Sequence, residues 1–200
     1  MLSILIFSIF LISSINAINL PRQIEKIGSP VYIACVSDSK ISSLIQNLPI
    51  NATTKEECSS KCSLSFENDL SFFKQNTNEC YCTFLNDSPT SDEIVYSIDE
   101  KGNCRLNDDT SVEYLKSLYK ISTCILPPIS ISSSNFTSNN PVECLINCPN
   151  DTTQSIAIRP EYNDDSDKFQ YECSCFDNNQ ITGGQQLDCG FGIETIYVRA

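Results

Sequence analysis

The 200-residue sequence has no histidine and no tryptophan, a single methionine and six glycines. Without histidine, neither a Ser-His-Asp nor a Cys-His catalytic arrangement can be built, and every His-ligated metal site is excluded. Without tryptophan, the strongest single stacking residue is missing. Positive charge is also scarce, with 13 basic side chains against 25 acidic ones and a formal net charge of −12. That balance argues against a nucleic-acid partner, which needs a basic face to neutralise phosphate. For the same reason it argues against docking on anionic lipid. No glycine-rich loop of the phosphate-cradling kind occurs, and Gly183-Gly184 reads only as a turn signal. The length suits one medium domain or two small ones.

The first 17 residues are the most apolar part of the chain. The run Leu2–Ile12 is broken only by serines, and Ala17 precedes a polar stretch. This pattern predicts a secretory signal, residues 1–17, cleaved after Ala17 and followed by a leader over 18–29. The run is short for a membrane span. No second apolar segment follows, so the expectation is a product without a membrane span after cleavage, secreted or held in a cell wall. Asn51, Asn86, Asn135 and Asn150 each stand two residues before a serine or threonine as glycosylation sequons, and these are expected on surface loops.

Twelve cysteines carry the clearest signal. They fall into two sixes: Cys35, Cys58, Cys62, Cys80, Cys82 and Cys104, then Cys124, Cys144, Cys148, Cys173, Cys175 and Cys189. Each six reads C…C-x3-C…C-x-C…C. The second copy is displaced by 86 residues at the C-x3-C pair and by 93 at the C-x-C pair, so it carries about seven extra residues. The reading is a tandem repeat, with modules over 30–116 and 119–200. An even cysteine count behind a signal peptide favours disulfides over a soft-metal site.

Spacing gives the cysteines a structural setting. Thr54-Lys-Glu-Glu57 precedes Cys58 as a capping box, with Thr54 as N-cap and Glu57 at N3. Asn140-Pro141-Val-Glu143 precedes Cys144 with an Asn cap and a Pro at N1. Both copies therefore place two cysteines on one helix face, four residues apart. Cys80-Tyr-Cys82 and Cys173-Ser-Cys175 have the period of a strand face. Two helix-to-strand staples per copy follow, but geometry alone leaves nested and crossed orders open. The remaining pairs, Cys35–Cys104 and Cys124–Cys189, would tie first strand to last. Closing a loop of about 70 residues is worth roughly 4 kcal/mol on loop-closure entropy, comparable with the whole stability of a small domain. Further strands are expected over Val31–Val36, Ile94–Ile98 and Thr195–Val198, and loops over Asn163–Asp167 and Ser130–Asn140. The fold class is α+β: two small disulfide-stapled modules in tandem, each one helix packed on a short antiparallel sheet.

The cysteine order, together with Tyr32-Ile-Ala-Cys35, Thr54-Lys-Glu-Glu-Cys58, Glu79-Cys80-Tyr-Cys82, Glu143-Cys144, Glu172-Cys173-Ser-Cys175 and Cys189-Gly190, resembles the WSC domain. It is also similar to PAN/apple modules, which share the six-cysteine form; WSC domains usually carry eight. The resemblance implies small extracellular modules of fungal type that recognise cell-wall glycans such as β-glucan. The PAN/apple likeness implies an extracellular protein partner as the alternative, in an adhesion factor or effector. It also favours the nested pairing: Cys58–Cys82 and Cys62–Cys80, then Cys144–Cys175 and Cys148–Cys173. Two sites on one chain would gain avidity on a polymer.

For chemistry, Asp164, Asp165 and Asp167 are the one candidate carboxylate cluster, and they read as a solvated acidic loop. No catalytic residue, cofactor or metal is expected. For binding, Tyr81, Phe84 and Tyr162 are the aromatic candidates to stack on a sugar, with Asn, Asp and Gln supplying hydrogen bonds. For each the competing role is core packing. Phe72 and Phe73 are expected to precede the C-x-C strand.

Overall fold

A computed structural model describes residues 28–94, 104–106, 108–126, 132–178, 184–190 and 192–200. The expected signal peptide, nearly all of the leader and most of the strand expected over Ile94–Ile98 lie outside the described residues. The chain is α+β, with two five-stranded antiparallel sheets. The first half gives β1 (Ser29–Ser37), α1 (Asp38–Leu44), β2 (Ile50–Asn51), α2 (Lys55–Cys62), β3 (Leu70–Lys74), β4 (Glu79–Thr83) and β5 (Asp109–Ser117). The second gives β6 (Tyr119–Ile125), β7 (Ser134–Ser138), α3 (Pro141–Asn147), β8 (Ser155–Asn163), β9 (Lys168–Phe176) and β10 (Glu194–Arg199). The sheet orders are β1-β5-β3-β4-β2 and β6-β10-β8-β9-β7. Strand for strand, these are the same topology, so the repeat written in cysteine is a repeat of fold.

The helix starts follow the sequence. Thr54 caps α2 by accepting from the Glu57 N–H at 3.1 Å, and Asn140 caps α3 by accepting from the Glu143 N–H at 3.1 Å. The reciprocal half of the box lands one residue earlier than drawn. Glu57 accepts from the Thr53 N–H at 2.8 Å and the Thr53 hydroxyl at 2.7 Å. Glu143 likewise reaches back to the Ser138 hydroxyl.

All twelve cysteines pair, and Cys35–Cys104 and Cys124–Cys189 form as expected. The helix-to-strand staples do not take the nested order. They are Cys58–Cys80 and Cys62–Cys82, then Cys144–Cys173 and Cys148–Cys175. The reason is chain direction. The chain reverses once between α2 and β3 and again between β3 and β4, and β3 and β4 are antiparallel. Two reversals leave α2 running the same way as β4. Four helical residues advance about 6 Å and two strand residues about 6.8 Å, so the sulfurs meet in step. A nested pairing would need the helix to run against the strand.

The extra residues of the second copy lengthen its hairpin rather than its loops. β3 and β4 are five residues each, and β8 and β9 are nine each. Asp164–Asp167 form the turn, with Asn163 at the end of β8. Lys74 faces Glu79 across the short hairpin, and Arg159 faces Glu172 at the same place in the long one. Both are ion pairs. The segment expected as a loop over Ser130–Asn140 contains β7. Its Ser/Asn/Thr composition hides the strand, because an edge strand held by backbone pairing to β9 needs no apolar face. Asn51 on β2 and Asn135 on β7 mark the outer edge strand of each sheet. All four sequon asparagines are exposed.

The two halves share one core. A single cluster of buried side chains takes in Ile33, Leu70, Phe72 and Val112 from the first half and Val142, Leu145, Ile156 and Tyr197 from the second. Each such side chain contributes about 1.5–3 kcal/mol by leaving water. The Tyr197 hydroxyl donates to the Tyr32 carbonyl at 3.0 Å, and the Ser91 N–H donates to the Asn139 carbonyl at 3.0 Å. The modules are thus packed together rather than strung apart.

Six disulfides fit an extracellular, oxidising compartment. Among the described residues, no helix is long and apolar enough to cross a membrane. Peptide mapping of the oxidised protein tests the pairing, because Lys61 separates Cys58 from Cys62 for trypsin and Tyr81 separates Cys80 from Cys82 for chymotrypsin. The expected linked peptides join Cys58 to Cys80 and Cys62 to Cys82. The nested combination contradicts the fold.

Candidate functional site

The staples hold the N-terminus of α2 above the sheet, and a cavity of about 410 Å³ opens there. Lys55 and Glu56 of α2's first turn form one side. Phe73 of β3 forms part of the floor, with Gln75 just beyond it, and Asp109 and Ser111 of β5 lie opposite. Phe73, Cys80 and Ser111 are direct cross-strand neighbours, so they share the face that α2 covers. Cys104, bonded to Cys35, closes one end.

Two groups in this cleft are out of balance. Asp109 keeps only 6% of its surface exposed and Ser111 only 8%. The Asp109 Oδ2 and Ser111 Oγ atoms are buried without a hydrogen-bond partner among the described residues. A buried polar atom left unpaired costs about 1–3 kcal/mol. Burial, with the neighbouring Asp108 charge adding to it, pushes the Asp109 carboxyl above the usual carboxylate range. The cleft thus sets a carboxylate and a hydroxyl side chain beside the Phe73 ring.

Behind the cleft, under α2, lies a second polar group. The Ser59 hydroxyl is 2.6 Å from that of Ser71 and also donates to the Glu113 carboxylate. Burial pushes Glu113 up, and the Ser59 hydrogen bond opposes it. The matching positions of the second repeat are Leu145, Ile156 and Tyr197, an apolar trio in the shared core.

The aromatic candidates lie outside this cleft, and the structure does not bring them together there. Tyr81 is half-buried against the shared core, and its hydroxyl donates to Glu79 at 3.2 Å. Phe84 is half-exposed just before a 3-10 turn over Leu85–Asp87. Tyr162 packs edge-to-face on Phe169, with centroids 5.2 Å apart, and its hydroxyl donates to Asp167. Asp164, Asp165 and Asp167 are exposed on the hairpin turn. That turn is organised by Asn163, which accepts from the Asp165 N–H at 2.9 Å. The sulfurs of Cys58, Cys62 and Cys80 lie close enough together to suggest a metal centre, but the disulfides account for all three.

On the second sheet, Arg159, Glu172 and Thr137 follow one another across β8, β9 and β7, and the Arg159 charge also acts on Glu194 of β10. Arg159 pairs with Glu172 and with Glu161, the latter at 2.5 Å. Glu194 Oε2 is buried without a partner among the described residues, and burial pushes its carboxyl up to about 7.

Comparison with known proteins gives no match: no family model, curated protein or solved structure is significantly similar to this chain.

Glu194 makes stability pH-dependent. Its ordinary value is 4.5 and its folded value about 7, so the folded chain binds the extra proton between those limits. The stabilisation is complete below the lower value and is lost as pH rises through the upper one. Thermal melts should show Glu194→Gln gaining on the wild type between about pH 4 and about pH 8. A difference constant with pH contradicts this assignment.

Proposed function

We propose that the protein is a secreted or cell-wall-associated, non-catalytic binding protein that recognises cell-wall carbohydrate through the cleft beside α2. The observation that carries this reading is the pair of buried residues Asp109 and Ser111, each with a side-chain oxygen that has no hydrogen-bond partner among the described residues. A sugar supplies hydroxyl donors in clusters, and buried acceptors facing such donors regain what desolvation took from them. Gln75 adds an amide able to donate and accept, and Phe73 adds apolar surface for a sugar's C–H face. The cysteine resemblance to WSC domains supports β-glucan as the polymer class. The six disulfides and exposed sequons support an extracellular setting.

A protein partner is the alternative implied by the PAN/apple likeness, and the net charge of −12 would favour a basic one. The cleft supports the carbohydrate reading better, since its unsatisfied groups among the described residues are one carboxylate oxygen and one hydroxyl rather than an apolar patch or a charged field.

The test is retention of the oxidised protein by insoluble β-glucan or chitin. The wild type is expected to be retained, and Asp109→Asn to bind about tenfold more weakly or worse. Binding should also weaken on acidification, because a protonated Asp109 is a poorer acceptor. Salt-sensitive capture of a protein, with no retention on any polysaccharide of a broad panel, contradicts the reading.

A further inference from the structure

The second repeat has its own version of the cleft, and the strand register locates it. Phe73 pairs with Cys80 and Ser111, and Ile158 pairs with Cys173 and Thr195. Lys55 and Pro141 are the first residues of their helices. Gln75 and Pro160 follow the paired Lys74 and Arg159. The matching cleft is therefore bounded by Pro141, Ile158, Pro160 and Thr195, and these four do line a common cavity.

That cavity is almost filled by the first repeat. Tyr32, Ile33 and Ala34 of β1 and Ile94 line the same space, and about 40 Å³ remains, against about 410 Å³ in the first repeat. The Tyr197 hydroxyl fastens the inserted strand by donating to the Tyr32 carbonyl. The residue types agree with this division. Where the second repeat has Val142, fully buried, and Pro160, also buried, the first has Glu56 and Gln75, both exposed. One cleft is apolar and occupied by the chain; its counterpart is polar and faces outward.

We infer that the chain presents one ligand cleft rather than two, the second repeat using its equivalent cleft as a socket for β1. The ligand class rests on the carbohydrate reading above; the socket does not. The repeat is thus an asymmetric pair in which the second unit mounts the first, and avidity on a polymer has to come from separate chains. A head-to-tail array would place another β1 in the open cleft. The exchange of Val142 and Pro160 for Glu56 and Gln75 opposes that, because an apolar strand would take the exposed Glu56 and Gln75 side chains out of water.

Two measurements on the full, oxidised protein separate the claims. The first is calorimetric titration with soluble β-1,3-glucohexaose and with chitohexaose. The expected result is one site per chain, weakened at least tenfold by Asp109→Asn and unchanged by Thr195→Val. Two sites per chain, or a loss caused by Thr195→Val alone, overturns the inference. The second needs no ligand. Val142→Ala should lower Tm by about 3 °C or more, whereas the matching Glu56→Ala should move it by less than about 1 °C. Equal shifts overturn the socket whatever the sugars do. If neither saccharide binds but the Tm contrast holds, the carbohydrate reading falls and the single open cleft stands.

Discussion

The structure depends on the direction in which each helix is bolted to its sheet. Two disulfides fix α2 in step with β4, and two fix α3 in step with β9. Because helix and strand run the same way, each helix N-terminus points to the same end of its sheet, beside the disulfide that ties in the first strand. That is where a cleft forms in both repeats. Reverse the pairing and the helix would turn end for end, taking the capped first turn away from Asp109 and Ser111. The bridges also supply stability that an 80-residue half would struggle to find in apolar burial alone.

The repeats have kept this frame while their contents diverged. Between α2 and its sheet lie the side chains of Ser59, Ser71 and Glu113; between α3 and its sheet lie those of Leu145, Ile156 and Tyr197. At the cleft, polar residues of the first repeat stand where the second has prolines and valine. Each change points the same way. The second repeat turns its helix-bearing face inward, so burial selects apolar side chains there. The first repeat's face looks out, and polar groups cost little wherever water or a ligand can reach them. Asp109 and Ser111 depart from this, being buried on an outward face without a hydrogen-bond partner among the described residues, and the proposed site rests on them.

Much of the frame was legible in the sequence. The two sixes of cysteine, the N-caps Thr54 and Asn140 and the C-x-C strands follow from spacing, which secondary structure fixes most rigidly, and the ties Cys35–Cys104 and Cys124–Cys189 are the pairs that remain. The order of the staples was not legible, because the matched rise of helix and strand serves either direction, and direction depends on how many times the chain reverses between them. β7 was missed because an edge strand needs no alternation of apolar residues. α1 was missed too, although Ser37 before Asp38, with Ile41, Leu44 and Ile45 at helical spacing, carried a signal. The site was the least legible part. Tyr81, Phe84 and Tyr162 stood out as aromatics, but Asp109 and Ser111 are an ordinary pair on a polar strand. Their significance lies in burial without partners, which only the packing of β5 against α2 creates.

The most direct test is backbone amide chemical-shift mapping of the oxidised protein with a soluble β-1,3-glucan oligosaccharide. Perturbations are expected only in the first repeat, at Thr54–Glu56, Gln75 and Asp109–Ser111, with Val142 and Thr195–Tyr197 unmoved. Shifts centred on the Tyr162–Asp167 hairpin tip, or appearing equally at both helix N-termini, would contradict it.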